Sequence, residues 1–157
     1  MAIKSLSVHD PDFCAIRSLI STSMPGKIIL HVEDDSDDAF IVRRALEKAA
    51  SIYTVHQITD GEKAIDYLDG VAPYDQRDQY PFPDAILLDL KLPRKDGFEV
   101  LTWARSRKNL KDIPIVVLTS SDRPEDLRRA NALGVTAYLN KSISCRNVID
   151  LLETLLK

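Results

Sequence analysis

The sequence predicts an α/β domain built on a doubly wound, five-stranded parallel sheet and preceded by an N-terminal extension. Short apolar runs rich in Val, Ile and Leu alternate with helical patterns along residues 27–157, as in a chain of βαβ units. The runs are nearly continuous in apolarity, which is typical of strands buried on both faces. With 157 residues, 45% of them hydrophobic, the chain is long enough for one ordinary core.

The predicted strands come in regular succession. The apolar runs that define them are Lys27–Val32, Ile52–Gln57, Asp84–Asp89, Pro114–Thr119 and Val135–Leu139. Crossovers between parallel strands are right-handed, and alternating β and α segments therefore predict a parallel sheet with helices packed against it.

Helical patterns fill the spaces between these strands. Their ranges are Asp37–Ala50, Gly61–Leu68, Gly97–Ser106, Pro124–Leu133 and Cys145–Leu156. Pro124 suits the first turn of the fourth helix, and Gly134 follows its end. In the Asp96-Gly97 turn, Gly97 is expected to allow a left-handed backbone. A long loop with three prolines, Asp69–Pro83, precedes the third strand.

Polar residues stand where four of the strands end. Glu33 and Asp34 follow the first strand, Asp89 closes the third, Thr119 closes the fourth and Lys141 follows the fifth. The carboxyl ends of parallel strands share one edge of a sheet, and ligands bind in the crevice there. Burying an ionised carboxylate is costly unless a cation or hydrogen-bond donors meet it. The strand ends therefore predict a site for a cation and a phosphoryl group.

This arrangement resembles the receiver domain of two-component response regulators, and the resemblance covers Gly26–Lys157. It is carried by the acidic pair, Asp89, the Leu92-Pro93-x-x-Asp96-Gly97 turn, Thr119 and Lys141 in this order. The Leu-Pro-Arg-Lys-Asp-Gly segment, the long loop before it and the end of the chain after the last helix look most like stand-alone regulators that partner phytochrome-type kinases.

The resemblance implies a flavodoxin-like receiver fold and a role in signalling. The chain is expected to be a single-domain response regulator that takes a phosphoryl group from a sensor histidine kinase onto Asp89. It would then signal by protein contact or by phosphorelay to a phosphotransfer domain. Beyond self-phosphorylation and self-dephosphorylation, no enzymatic activity is expected.

The resemblance also assigns roles within the site. Asp89 would be the carboxylate nucleophile, and Mg²⁺ suits the oxygen ligands around it. The implied metal ligands are Glu33, Asp34, Asp89 and the backbone carbonyl of Lys91, with Glu33 reaching the ion through water. Thr119 and Lys141 would contact phosphoryl oxygens, and Tyr138 would be an aromatic switch that turns inward.

Neighbouring polar residues are expected to be structural. Asp35, Asp37 and Asp38 suit the cap and first turn of a helix, where its dipole favours acidic groups. His31 lies within a strand, and no second histidine or cysteine stands at ligand spacing.

Three other functions compete with this reading. A phosphatase of the haloacid dehalogenase class would need an aspartate two residues after the nucleophile, where this chain has Lys91. A flavodoxin-like cofactor binder would need a phosphate-cradling loop after the first strand, where the acidic residues would repel phosphate. A phosphate-independent pseudo-receiver that only binds partners remains as the alternative.

Composition limits the partners. The net charge of −3 and the absence of a long basic stretch argue against nucleic-acid binding. No apolar run approaches the length of a membrane span, and the N-terminus does not read as a signal peptide. Two cysteines without CxxC spacing fit a reducing cytoplasm.

Three further expectations concern local structure and assembly. Residues 1–26 are expected to form an extension with a short docked helix at about Pro11–Ile20. The leucine-rich last helix predicts a homodimer through the last two helices and the fifth strand. The family usually has a cis Lys-Pro bond where this chain has Lys141-Ser142, and a trans bond is expected because cis costs about 3 kcal/mol before a non-proline residue.

Overall fold

The computed structural model describes residues 26–50 and 52–157, which form a sheet covered by helices on both faces. The strands are β1 (Lys27–Val32), β2 (Tyr53–Ile58), β3 (Ala85–Leu88), β4 (Ile115–Thr119) and β5 (Ala137–Asn140). The helices are α1 (Ser36–Ala50), α2 (Gly61–Asp69), α3 (Gly97–Ser106), α4 (Pro124–Ala132) and α5 (Cys145–Leu155), with a short 3₁₀ turn at Lys108–Leu110. The predicted fold class is confirmed, and the element ends differ from the predicted ones by at most two residues.

The sheet is parallel throughout, with strand order β2-β1-β3-β4-β5. The order reverses beside β1, because the chain runs outward from it to β2 on one side and to β3, β4 and β5 on the other. In doubly wound sheets this reversal opens a crevice at the carboxyl ends of the strands.

Two apolar clusters cover the two faces. One contains Leu101 of α3 and Tyr67 of α2, packed on Leu30 and Ile86 of the sheet. The other contains Leu46 of α1 and Leu152 of α5, packed on Leu87 and its neighbours. Since the central strands contribute to both clusters, their continuous apolar sequence follows from burial on both sides.

The long loop before β3 folds back over α2. Tyr67 is fully buried, and its hydroxyl donates a 2.8 Å hydrogen bond to the Pro81 carbonyl. Arg77 donates from Nη1 to the Tyr67 and Tyr80 carbonyls at 2.9 and 3.2 Å. The Tyr74 and Tyr80 rings meet edge to face, 5.1 Å apart. These contacts hold the loop against the end of α2 despite its length.

Gly97 was expected to allow a left-handed backbone, but among the described residues the positive-φ positions are Gly70, Arg94 and Gly134. Gly97 instead begins α3 where the backbone of Asp89 and Leu90 passes closely. The predicted N-terminal helix at about Pro11–Ile20 lies outside the described residues. Within the described part, no helix combines the length and apolarity needed to cross a bilayer.

Candidate functional site

The strand ends bring five of the predicted site residues to one edge of the sheet, whereas Tyr138 lies within β5. Glu33 and Asp34 directly follow β1, and Asp89 directly follows β3, the neighbour of β1 in the sheet. Thr119 is the last residue of β4, and Lys141 follows β5. These positions surround the crevice where the strand order reverses.

Three carboxylates form the acidic part of the site. One oxygen from each of Glu33, Asp34 and Asp89 lies within 4.8 Å of the other two. Glu33 and Asp89 are buried, whereas Asp34 is exposed. Burial raises the pKa of Glu33 to about 7, even though its hydrogen bond with Lys141 acts in the opposite direction. Holding several carboxylates charged this close together is unfavourable without a cation. Their clustered oxygens fit a divalent cation such as Mg²⁺.

The two oxygens of Asp89 have different surroundings. Oδ1 accepts hydrogen bonds from the backbone N–H of Leu90 at 2.7 Å and of Lys91 at 3.4 Å. Oδ2 lies 3.1 Å from the Lys141 ammonium. The backbone therefore fixes the carboxylate through one oxygen and leaves the other directed into the crevice.

Lys141 is the cation at the centre of the site. Its Nζ lies 2.5 Å from Glu33 Oε2, 2.9 Å from Asp38 Oδ2 and 3.1 Å from Asp89 Oδ2. Burial lowers the pKa of Lys141, but its hydrogen bonds with Asp38 and Glu33 and the charge of Asp89 outweigh this effect and raise the pKa above its ordinary value. The ammonium is therefore charged wherever the protein is folded at ordinary pH.

The backbone around Lys141 is held on both sides. Ala72–Pro73 is the cis peptide bond found in the described part of the chain, so the Lys141–Ser142 bond is trans, as expected. The Lys141 N–H donates to the Thr119 carbonyl at 2.8 Å, and the Ser142 N–H donates to Asn140 Oδ1 at 2.9 Å. With this trans backbone the amine still reaches three carboxylates.

Thr119 and Tyr138 meet at the loop between β4 and α4. The Thr119 side chain is fully buried, and its hydroxyl accepts a 3.3 Å hydrogen bond from the Ser121 N–H. The Ser121 carbonyl accepts from the Tyr138 hydroxyl at 3.3 Å and from Asn140 Nδ2 at 3.4 Å. The hydroxyl of Ser121 donates to Asp126 Oδ2 at 2.5 Å. Ser121 thus links the end of β4 to β5 and α4.

The sequence reading missed Asp38 and Ser121. Asp38 was expected to serve only the first turn of α1, but its carboxylate contacts Lys141. The expectation for Asp35 is confirmed, because its Oδ1 accepts from the N–H groups of Asp37 and Asp38 at 2.9 Å. Once Asp35 serves as the cap, Asp38 is not needed for that role, and this was the available signal. His31 is buried in β1, and burial lowers its pKa to about 4, which agrees with a neutral structural residue.

The fold and the site together define a doubly wound α/β domain whose strand ends hold a lysine among buried carboxylates. Residues 29–153 match the family described as the response regulator receiver domain, and the chain belongs to this family. Response regulator Rcp1 of Synechocystis sp. is 39% identical over 131 residues, which are 83% of this chain and 85% of Rcp1.

Solved structures agree with this assignment. The phosphorylated cyanobacterial phytochrome response regulator RcpA superimposes with a TM-score of 0.73 at 35% identity, covering 83% of this chain and 91% of that one. The Mn²⁺-bound form of Rcp1 superimposes with a TM-score of 0.69 at 38% identity, covering 83% and 89%. The chain is thus a two-component receiver of the kind that works with histidine kinases, its relatives include a phytochrome response regulator, and the pseudo-receiver alternative is not favoured.

Proposed function

We propose that Asp89 is the phosphoacceptor of this receiver domain. The observation that carries this role is the position of Asp89 Oδ2, which faces the Lys141 ammonium at 3.1 Å while Oδ1 is held by backbone N–H groups. Oδ2 would attack the phosphorus of a kinase phosphohistidine, the P–N bond would break, and its electron pair would return to the imidazole. The product is an acyl phosphate on Asp89.

The acidic cluster is the proposed Mg²⁺ site. Its ligands would be Glu33, Asp34, Asp89 and the backbone carbonyl of Lys91. A bound Mg²⁺ would supply charge neutralisation for the phosphoryl oxygens. The support for a divalent cation is the clustering of three carboxylate oxygens here and the Mn²⁺ bound by the similar protein Rcp1.

Thr119, Lys141 and Tyr138 complete the proposed machinery. The hydroxyl of Thr119 and the ammonium of Lys141 would each contact a phosphoryl oxygen. A Thr119 hydroxyl that turns toward the phosphoryl group would give up its hydrogen bond with the Ser121 N–H. Tyr138 is half-buried, and its hydroxyl donates to the Ser121 carbonyl. A movement of Ser121 would therefore change the surroundings of Tyr138, which would turn inward as the switch. Self-phosphorylation from small donors and self-dephosphorylation would use the same groups.

A sensor histidine kinase, in particular a phytochrome-type kinase, is the proposed phosphodonor. Phe40 and Ile41 on α1 are 50% and 54% exposed, and Ile41 lines the same cavity as Asp38 and Lys141. An exposed apolar pair on the helix that carries Asp38 suits a docking partner. The output would be contact with a downstream protein or a phosphotransfer domain, without nucleic acid or membrane. The role implies a cytoplasmic location, since histidine kinases take their phosphoryl group from ATP.

A homodimer through α4, β5 and α5 is also proposed. Leu127 on α4 is 41% exposed, and Leu151 and Leu155 on α5 are half-buried. Much of the apolar surface of α5 packs on the core, so the dimer face would be smaller than the sequence suggests. Sedimentation of the free and phosphorylated protein tests the dimer, and a monomer in both states rejects it.

Phosphorylation with a small donor tests the proposed function itself. Incubation with acetyl phosphate and Mg²⁺ should add one phosphoryl group, detected by mass spectrometry of the intact protein. Asp89→Asn should abolish the addition, whereas Asp122→Asn, which changes an exposed carboxylate after β4, should retain it. Full labelling of the Asp89→Asn variant would reject the assignment.

A further inference from the structure

The Lys141 ammonium contacts three carboxylates, and one of them does not belong to the proposed metal site. Glu33 and Asp89 are members of the acidic cluster, but Asp38 is not, although its Oδ2 lies 2.9 Å from the same ammonium. Asp38 comes from α1, on the side of Lys141 where Ile41, Val42 and Ile143 line a small cavity. One lysine therefore bridges the metal site and a carboxylate outside it.

The local sequence explains why Asp38 is available for this contact. Asp35 accepts the N–H groups of both Asp37 and Asp38 and so caps α1. Successive helical residues point about 100° apart, so Asp37 and Asp38 cannot face the same neighbour. Asp37 is exposed, whereas Asp38 lies on the side of α1 that also carries Val42 toward the site.

The shared lysine bears directly on metal binding. To bind a cation, Glu33 and Asp89 have to release the ammonium that now contacts both of them. An ammonium with no other partner would resist this release and would leave Asp89 once released. Asp38 offers it a carboxylate that does not take part in the metal site, at a distance that keeps Nζ beside Asp89.

We infer that Asp38 is a positioning residue, which weakens the contact of the Lys141 ammonium with Glu33 and Asp89 when a metal binds while keeping the ammonium near the phosphoacceptor. The inference rests on the proposed function, because it gives Asp38 a task in metal binding at that same site. It predicts that removing the Asp38 charge strengthens the grip of Lys141 on Glu33 and Asp89. Mg²⁺ then binds more weakly, and the loss depends on Lys141.

A pair of isosteric variants measures this effect. In low-salt titrations with Mg²⁺, Asp38→Asn should raise the Kd by about three- to tenfold, since each exposed or half-exposed charge pair is worth a modest factor. Asp37→Asn removes the same formal charge from the same helical turn and is the matched control, so it should change the Kd by less than about twofold. If the two variants raise the Kd equally, Asp38 acts only through its negative charge near the site and not through Lys141, and the inference is overturned.

The dependence on Lys141 is tested by repeating the comparison in a Lys141→Gln background. There Asp38→Asn should change the Kd by less than about twofold, because no ammonium is left to redirect. A change as large as in the wild-type background would mean that Asp38 acts on the metal directly, which also overturns the inference.

A measurement without metal separates this inference from the proposed function. In ¹⁵N-lysine NMR spectra of the metal-free protein, Asp38→Asn should shift the Lys141 ammonium signal and Asp37→Asn should not. If the chemical shift of the Lys141 ammonium is the same in Asp38→Asn as in the wild type, the inference is rejected regardless of the Mg²⁺ affinities. If Asp38→Asn shifts the Lys141 signal but the wild-type protein does not bind Mg²⁺, the metal site of the proposed function is rejected. Asp38 would then still be the residue that positions Lys141.

Discussion

Gly97 packs directly against the backbone of Asp89, and no side chain fits between them. A Cβ at residue 97 would overlap the Asp89 carbonyl oxygen and would lie 2.7 Å from Leu90 Cα. The Gly97 N–H also donates to the Leu90 carbonyl at 2.9 Å. The start of α3 therefore fixes the segment that directs the Asp89 carboxylate into the crevice.

Gly97→Ala is expected to damage the site as well as the stability. The added methyl has to push the Asp89–Leu90 backbone away, and overpacking of this kind costs about 1–3 kcal/mol. The rate of phosphorylation by acetyl phosphate should fall, measured on the folded fraction. Gly134→Ala is the control, because its cost is a strained backbone at φ 82° and its new Cβ would meet atoms no closer than 3.7 Å. It should lower stability but leave the rate unchanged; equal rates for both variants would contradict the role given to Gly97.

Mg²⁺ affinity is expected to depend more on Asp34 than on Glu33. Asp34 is exposed, whereas Glu33 is paired with Lys141 and has a pKa raised to about 7 by burial, so it contributes less than a full charge near neutral pH. Calorimetric titration should show a Kd raised by about tenfold or more in Asp34→Ala and by a smaller factor in Glu33→Ala. Wild-type affinity in the Asp34→Ala protein would contradict this reading.

Glu33→Gln is expected to stabilise the metal-free protein above neutral pH. Because the pKa of Glu33 is raised in the folded state to about 7, its contribution to stability is fully present below pH 4.5 and is lost as the pH rises toward 7. At pH 8 the variant should therefore unfold at higher urea, with a gain of up to about 3 kcal/mol, and the gain should vanish near pH 4.5.

His31 does not obscure that comparison. The pKa of His31 is lowered by burial to about 4, so its effect on stability between pH 4 and 6.5 has the opposite sign and is common to both proteins. Saturating Mg²⁺ should remove the advantage of Glu33→Gln, because only the wild type keeps the full ligand set. A variant less stable than wild type at pH 8 without metal would show that the contact between Glu33 and Lys141 outweighs the cost of burying Glu33.

Phe40→Ser and Ile41→Ser are expected to separate kinase recognition from chemistry. Each removes an exposed apolar side chain from α1, so transfer from a cognate histidine kinase should slow by about tenfold. Phosphorylation by acetyl phosphate should be unchanged, because the hydrogen bonds of Asp89 come from Leu90, Lys91 and Lys141. Leu127→Ser on α4 is the control for exposed apolar surface elsewhere, and transfer that slows equally in this variant would remove α1 from the docking surface.

The sequence predicted what depends on local pattern and strand-end placement. The order of elements and the meeting of Asp89 with Glu33 and Lys141 follow from apolar runs and from the shared edge of a parallel sheet. The contact between Asp38 and Lys141 did not, since three acidic residues in one turn look alike until the cap is assigned. The close approach of Gly97 to Asp89 was equally hidden, because a glycine in a turn suggests an unusual dihedral angle more readily than a tight packing distance.

The long sequence separation between Lys141 and its carboxylate partners affects when these groups meet during synthesis on the ribosome. The lysine stands 103 residues after Asp38 and 52 residues after Asp89. Domains are made from the amino end, so the carboxylates leave the ribosome long before their ammonium partner. Until Lys141 has been added and β5 has joined the sheet, the acidic side chains lack this ammonium partner. Under the role proposed for Asp89, a chain that still lacks β5 would hold the phosphoacceptor without the lysine that faces it.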